Sequence, residues 1–191
     1  MDEILGVAYL FLPLFGGAVF HGFCIKFGWL SSFTSPIDGG RTWRDRPIFG
    51  ANKTFRGLVA VALGAALVLG LQEDVLHQIS AVRQVELFDY SVVNGWLLGL
   101  AVGASAMLAE LPNSFLKRRL CIPSGQQATG ILRLLFFFLD QVDVLLGAWL
   151  IFATVMQVTA ARIGISVVIV FVMHNLVTVA GYGLGMRKTA R

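Results

Sequence analysis

The chain has 191 residues, of which 57% are hydrophobic and 14% charged, with a formal net charge of +4. Soluble domains carry about a quarter charged residues, so the composition excludes an ordinary soluble domain and points to an integral membrane protein. Its length fits a single domain, residues 1–191.

A membrane-spanning helix needs about 20 apolar residues, and the sequence offers about five such segments, giving an expected all-α membrane fold. The first covers residues 4–27 and contains Pro13, Gly16 and Gly17, which membrane helices tolerate when neighbours satisfy the backbone. Its start is acidic (Asp2, Glu3) and its apolar run is too long for a cleavable signal. Next comes the longest polar stretch, residues 35–57, SPIDGGRTWRDRPIFGANKTFRG. Asp38, Arg41, Arg44, Arg46, Lys53 and Arg56 are interleaved there with Gly39, Gly40 and Gly50. Such glycines let backbone N–H groups approach a ligand closely.

The second span, residues 57–71, is short and requires local bilayer thinning or a start inside the loop. The third, residues 92–111, carries Gly95, Gly99 and Gly103, a small-xxx-small repeat that lets another helix approach. A homodimer through this stripe is one possible use of it. Pro112 and Asn113 are expected to end this span and start a basic helix holding Ser114, Lys117, Arg118 and Arg119. The fourth span covers residues 144–160, standing alone or continuing from the apolar segment 131–139. The fifth covers residues 163–185, where His174 beside Asn175 reads as a hydrogen-bonded packing residue. Cys24 and Cys121 are isolated thiols without metal-ligand spacing.

Loop charges give an orientation. Basic residues fall in the first loop, in the third (Lys117, Arg118, Arg119, Arg133) and in the C-terminal tail (Arg187, Lys188, Arg191). The second loop is acidic on balance, with Glu73, Asp74, Arg83, Glu86 and Asp89, and the fourth has Arg162 alone. Basic loops stay cytoplasmic. Five spans then place the N-terminus outside and the C-terminus in the cytoplasm, in a multi-pass protein of the cell membrane.

Three clusters face the cytoplasm in this scheme: the first loop, Glu110 to Arg119, and Asp140-Gln-Val-Asp143. Lysine, arginine and backbone amides suit phosphate oxygens. Asp140 and Asp143, three apart on one helical face, suit Mg²⁺, which takes one or two carboxylates plus waters and phosphates. A structural pairing with Arg133 or a loop arginine is the other reading of these carboxylates, as acidic groups at membrane depth need a partner. Lys117, Arg118 and Arg119 also fit a simple anchor for anionic headgroups. Together the clusters suit metal-assisted chemistry on a polyphosphate, with a second substrate from the bilayer. Gly50-Ala-Asn-Lys53-Thr54 lacks the glycine of a Walker A motif, and there is no Ser/His/Asp arrangement or dinucleotide fingerprint.

Four blocks in order, Asp38-Gly-Gly-Arg-Thr-Trp, Ile48-Phe-Gly-Ala-Asn-Lys-Thr-Phe-Arg-Gly57, Ser114-Phe-Leu-Lys-Arg-Arg-Leu120 and Leu139-Asp-Gln-Val-Asp143, resemble the CDP-archaeol synthase family. That family belongs to the CTP-dependent phosphatidate cytidylyltransferases. The resemblance runs from about Gly16 to Gly147. It implies a membrane enzyme of about five spans whose two polar cytoplasmic loops form the active site. The enzyme would join CTP to a lipid phosphate and release pyrophosphate, with the bilayer as its environment, Mg²⁺ as cofactor and no nucleic-acid partner. The family name favours an archaeol-type geranylgeranyl ether phosphate; phosphatidic acid is the alternative substrate, and a non-catalytic membrane protein or transporter the alternative class.

By the family pattern, Gly50, Asn52, Lys53 and Thr54 hold the CTP phosphates, with Ser114 and Lys117 lining the same chamber. Glu110, Asp140 and Asp143 are the expected metal ligands, although the family usually has Gly-Asp where this chain has Ala109-Glu110. Lys53, Lys117, Asp140 and Asp143 are the expected catalytic groups. Arg44, Arg118 and Arg119 are candidates for the lipid phosphate. Asp38 is either a further acidic ligand near CTP or the residue that orders the Gly39-Gly40 turn.

Overall fold

The computed structural model describes residues 2–183. Gly185 and the tail residues Arg187, Lys188 and Arg191 lie outside the described residues. The chain forms α1 (Asp2–Lys26), the short strands β1 (Thr42–Trp43) and β2 (Arg46–Pro47), then α2 (Phe55–Asp74), α3 (Ser80–Arg83), α4 (Gly95–Arg119), α5 (Ile131–Phe152) and α6 (Ala160–Gly183). Five of these helices are long and apolar enough to cross a membrane, so the expected all-α membrane architecture holds.

Three expected boundaries are corrected. The second span starts inside the loop, at Phe55, the latter of its two expected alternatives, and with the turn after it gives 24 apolar-rich residues, so no bilayer thinning is needed. Thr54 sets its start: the Thr54 hydroxyl accepts from the Gly57 N–H at 3.3 Å, capping the helix. The third span does not end at Pro112. In a membrane an opened backbone costs more than one missing hydrogen bond, so the helix continues through the proline. Ser114, Lys117, Arg118 and Arg119 therefore stand inside α4 rather than on a separate loop helix. The fourth span joins the 131–139 segment as one helix but stops at Phe152.

Glycine sets the spacing of the bundle. A Cβ at Gly99 would lie 2.5 Å from Ala66 Cα, and one at Gly103 would lie 2.7 Å from Ala62 Cα. One at Gly64 would lie 2.8 Å from Gly17 Cα, and one at Gly147 would lie 2.6 Å from Ala106 Cα. Thus α2 lies tightly between α1 and α4, with α5 against α4, by small-residue packing. The Gly95, Gly99 and Gly103 stripe is covered by α2 of the same chain, so it is not free for a homodimer. Away from the polar end, Phe11 contacts Trp149 and Phe152 with ring centroids at 5.7 and 5.8 Å. The Trp149 indole donates to the Ser166 hydroxyl at 2.9 Å, tying α5 to α6.

Candidate active site

The 35–57 loop is built around Asp38. Its Oδ1 accepts from the Gly40 N–H at 2.9 Å, and its Oδ2 accepts from Phe49 and Gly50 at 2.8 and 3.1 Å. Burial would raise this carboxyl, but the backbone donations outweigh it and hold the group below the ordinary aspartate value. Both oxygens are committed to the loop, which favours the turn-ordering role. Gly50 has φ 98°, and a Cβ there would collide with the Ser124 hydroxyl. Only glycine meets both demands. The loop then closes where Ile37 donates to the Lys53 carbonyl at 2.8 Å and Phe55 to the Ser35 carbonyl at 3.1 Å. This places Asn52, Lys53 and Thr54 at the N-terminus of α2.

There the loop meets α4 and α5. Lys53 forms an ion pair with Glu110 of α4. Lys117 of α4 pairs with Asp140 of α5, and its ammonium lies 5.3 Å from the Phe136 ring centre. Asn113 donates from Nδ2 to Asp140 Oδ1 at 2.7 Å. Asp143 is within electrostatic reach of Asp140, Glu110 and Lys117, and its Oδ2 is buried with no hydrogen-bond partner. Ser114 is buried beside Asn113.

Beside these groups lies a cavity of about 310 Å³ bounded by all five long helices, with Lys53, Glu110 and Asp140 at its polar end. Asn52, Lys53, Glu110, Asp140 and Gln141 line that end, with His21 and His174 also on the wall. Phe11, Leu14, Ile169 and Val170 line the apolar remainder. A compartment that is charged at one end and apolar at the other matches a molecule with a phosphate head and hydrocarbon tails.

A family model described as CarS-like CDP-archaeol synthase matches residues 1–190. The chain belongs to the CDP-archaeol synthase family. It is 34% identical to a CDP-archaeol synthase of Pyrobaculum aerophilum over 80% of each chain. It is 31% identical to one of Methanospirillum hungatei over 85% of this chain and 93% of the relative. The fold is similar to a solved structure described as an intramembrane enzyme for archaeal membrane lipids biosynthesis. That match has TM-score 0.60 and 22% identity, and covers 90% of this chain and 91% of the other.

Against the family expectations, the structure gathers Asn52, Lys53, Glu110, Lys117, Asp140 and Asp143, drawn from one loop and two membrane helices rather than from two loops. Among the described residues, no three His, Cys, Asp or Glu side chains are grouped for a metal, since Glu110 is turned to Lys53. The arginines are placed otherwise. Arg118 is buried and donates to the Ile122 carbonyl. Arg119 donates to the carbonyls of Trp43, Arg46 and Pro47, and its guanidinium lies 5.3 and 5.0 Å from the Trp43 and Phe115 rings. Arg46 donates back to the Arg119 carbonyl, so Arg119 clasps the β1–β2 hairpin to α4. Arg44 lies at the exposed tip of that hairpin, with φ 51°.

Asn113, which touches Asp140, and Gln141, which lines the cavity, stand among these groups although neither was a candidate site residue in the sequence. Asn113 was masked by Pro112: with α4 continuous, Asn113 and Lys117 are four apart on one face, which is the available signal.

Proposed function

We propose that the protein transfers CMP from CTP to an archaeol-type lipid phosphate, forming a CDP-lipid and pyrophosphate. Crossed lysine–carboxylate pairs at the polar end of a polar-to-apolar cavity carry this reading, and membership of the family supports it. An apolar wall accepts ether or acyl tails alike, so the ether substrate rests on the relatives' names.

The lipid phosphate is itself the nucleophile, so no activated side chain is required. Its oxygen attacks the α-phosphorus of CTP, and the bond to the β-phosphate oxygen breaks as pyrophosphate leaves. The protein's task is alignment and charge neutralisation. Asn52, Lys53 and the capped N-terminus of α2 receive the triphosphate, because helix N-termini present free N–H groups and a positive dipole. On nucleotide binding Lys53 exchanges Glu110 for phosphate, and Lys117 does the same with Asp140. The hairpin tip, with Arg44, stays available to a headgroup.

The donor set fits Mg²⁺. Asp143 Oδ2 and Asn113 Oδ1 are buried acceptors with no partner, beside Asp140, and hard oxygens are the ligands Mg²⁺ takes. Bound Mg²⁺ would neutralise phosphate charge in the transition state. We place the basic end of the bundle in the cytoplasm, where CTP is supplied.

The test is transfer of radiolabelled cytidine into lipid, with purified protein, Mg²⁺ and either a geranylgeranyl ether phosphate or dioleoyl phosphatidate. Label in the ether sample is expected. Label in the acyl sample alone would keep the chemistry and overturn the substrate, and label in neither would overturn the reading.

A further inference from the structure

On α5, Phe152, Ala148 and Leu145 enter the apolar core at helical spacing. The next position on that stripe is Gln141 rather than another apolar residue. It is 5% exposed, it lines the cavity, and neither its Oε1 nor its Nε2 has a hydrogen-bond partner. A buried amide with both polar atoms unpaired destabilises the free protein, and an apolar side chain of the same size would not. The fold therefore does not account for this glutamine, whereas a bound molecule does.

We propose that Gln141 reads the nucleoside of CTP by accepting one hydrogen bond from it and donating one to it. This rests on the cytidylyl-transfer reading of the cavity. The chemistry of the two orphaned atoms chooses between the substrates. A carboxamide presents an acceptor beside a donor. An ionised dialkylglycerol phosphate offers only acceptors, its ether and phosphate oxygens, and would leave Oε1 unpaired. A ribose hydroxyl both donates and accepts, and cytosine sets its N4 donor beside the N3 acceptor. Position agrees with this choice. Gln141 follows Asp140, whose partner Lys117 marks the phosphate end, and the ribose is the group joined to the α-phosphate.

Gln141→Leu tests the proposal, with the unbranched Gln141→Met as a second variant of similar volume. Three quantities are measured in detergent for wild type and variants. These are the ligand-free Tm, the Kd for CTP, deoxy-CTP (2′ and 3′) and the 2-pyrimidinone analogue of CTP, and the KM for the lipid phosphate. The expected result is a ligand-free Tm equal to or above wild type, a CTP Kd weakened about tenfold or more, and an unchanged lipid KM. Wild type alone should discriminate against the analogue that lacks the group Gln141 reads: a deoxy-CTP for a ribose hydroxyl, the 2-pyrimidinone analogue, which lacks the N4 amine, for the cytosine edge. A fall in Tm for both variants would make Gln141 a structural residue and overturn the proposal. So would a shift in lipid KM in place of CTP Kd, or CTP binding equal to wild type. Failure of wild type itself to bind CTP would overturn the enzyme reading, and this inference with it.

Discussion

Replacing Asp38 by Asn keeps the side chain's shape but takes away one acceptor oxygen. In the structure Oδ2 accepts from both Phe49 and Gly50. An amide can keep the Gly40 bond only by turning its NH2 toward these two N–H groups. Bonds to a charged acceptor contribute about 1.5–3 kcal/mol each, so losing two costs the closed loop roughly 3 kcal/mol or more. That corresponds to about a hundredfold rise in the open population. Lys53 follows Gly50 by three residues and donates its backbone N–H to the Gly50 carbonyl at 3.1 Å, so the end of the site proposed for CTP opens with the loop. Faster amide exchange at Phe49 and Gly50 and a weaker CTP Kd are expected together, measured by hydrogen–deuterium exchange and titration. Unchanged exchange with lost activity would refute the loop-ordering role and return Asp38 to the ligands. The pH dependence has a definite sign. The carboxyl is held below the ordinary aspartate value, so its contribution is complete above that value and is lost as pH falls through the depressed one. Loop exchange in wild type should therefore rise only on acidification below the ordinary aspartate range.

Other outcomes follow from the same geometry. Arg119→Lys should expose the hairpin, because an ammonium cannot grip three carbonyls as the guanidinium fork does; faster tryptic cleavage after Arg41 or Arg44 is the readout. Gly99→Leu should lower the Tm in detergent, as even its Cβ would lie 2.5 Å from Ala66 Cα and overpacking costs about 1–3 kcal/mol or more. Glu110→Gln releases Lys53 from its partner, so CTP without divalent ions should bind about tenfold tighter than to wild type, by titration.

The sequence spoke most clearly where the physics is one-dimensional. Apolar length marked the five spans, and the glycine repeat of α4 marked a close helix contact, because lipid imposes both locally. α2 carries a repeat at the same spacing, Ala62, Ala66 and Gly70, but neither stripe names its partner, and only the packed bundle shows Gly103 on Ala62 and Gly99 on Ala66. Pro112 misled because soluble-helix rules weigh a lost hydrogen bond against water, and there is no water to compete at that depth. Arg118 and Arg119 were hard to read for another reason. Charge alone cannot distinguish a guanidinium that meets phosphate from one that meets carbonyls, and Arg119 meets three carbonyls. Asp38 carried two readings in the sequence, and the backbone donors that separate them come partly from Phe49 and Gly50, eleven and twelve residues away.

The pairing of lysines with carboxylates explains how this chamber exists before substrate arrives. Unpaired ions at membrane depth are costly, so Lys53 and Lys117 cannot wait there as bare cations, nor Glu110 and Asp140 as bare anions. Crossing them removes both costs at once. Under the proposed function, a polyanion alone would have to break two ion pairs to bind, whereas a polyanion accompanied by a divalent cation would offer each partner a replacement: phosphate for the lysines, cation for the carboxylates. In the proposed exchange each of these four groups keeps an opposite charge beside it in both states. Asp143 and Gln141 stand outside this exchange, each with buried polar atoms unpaired in the free protein. Under the proposed function they are positions where substrate or metal would meet atoms that have no partner in the free protein.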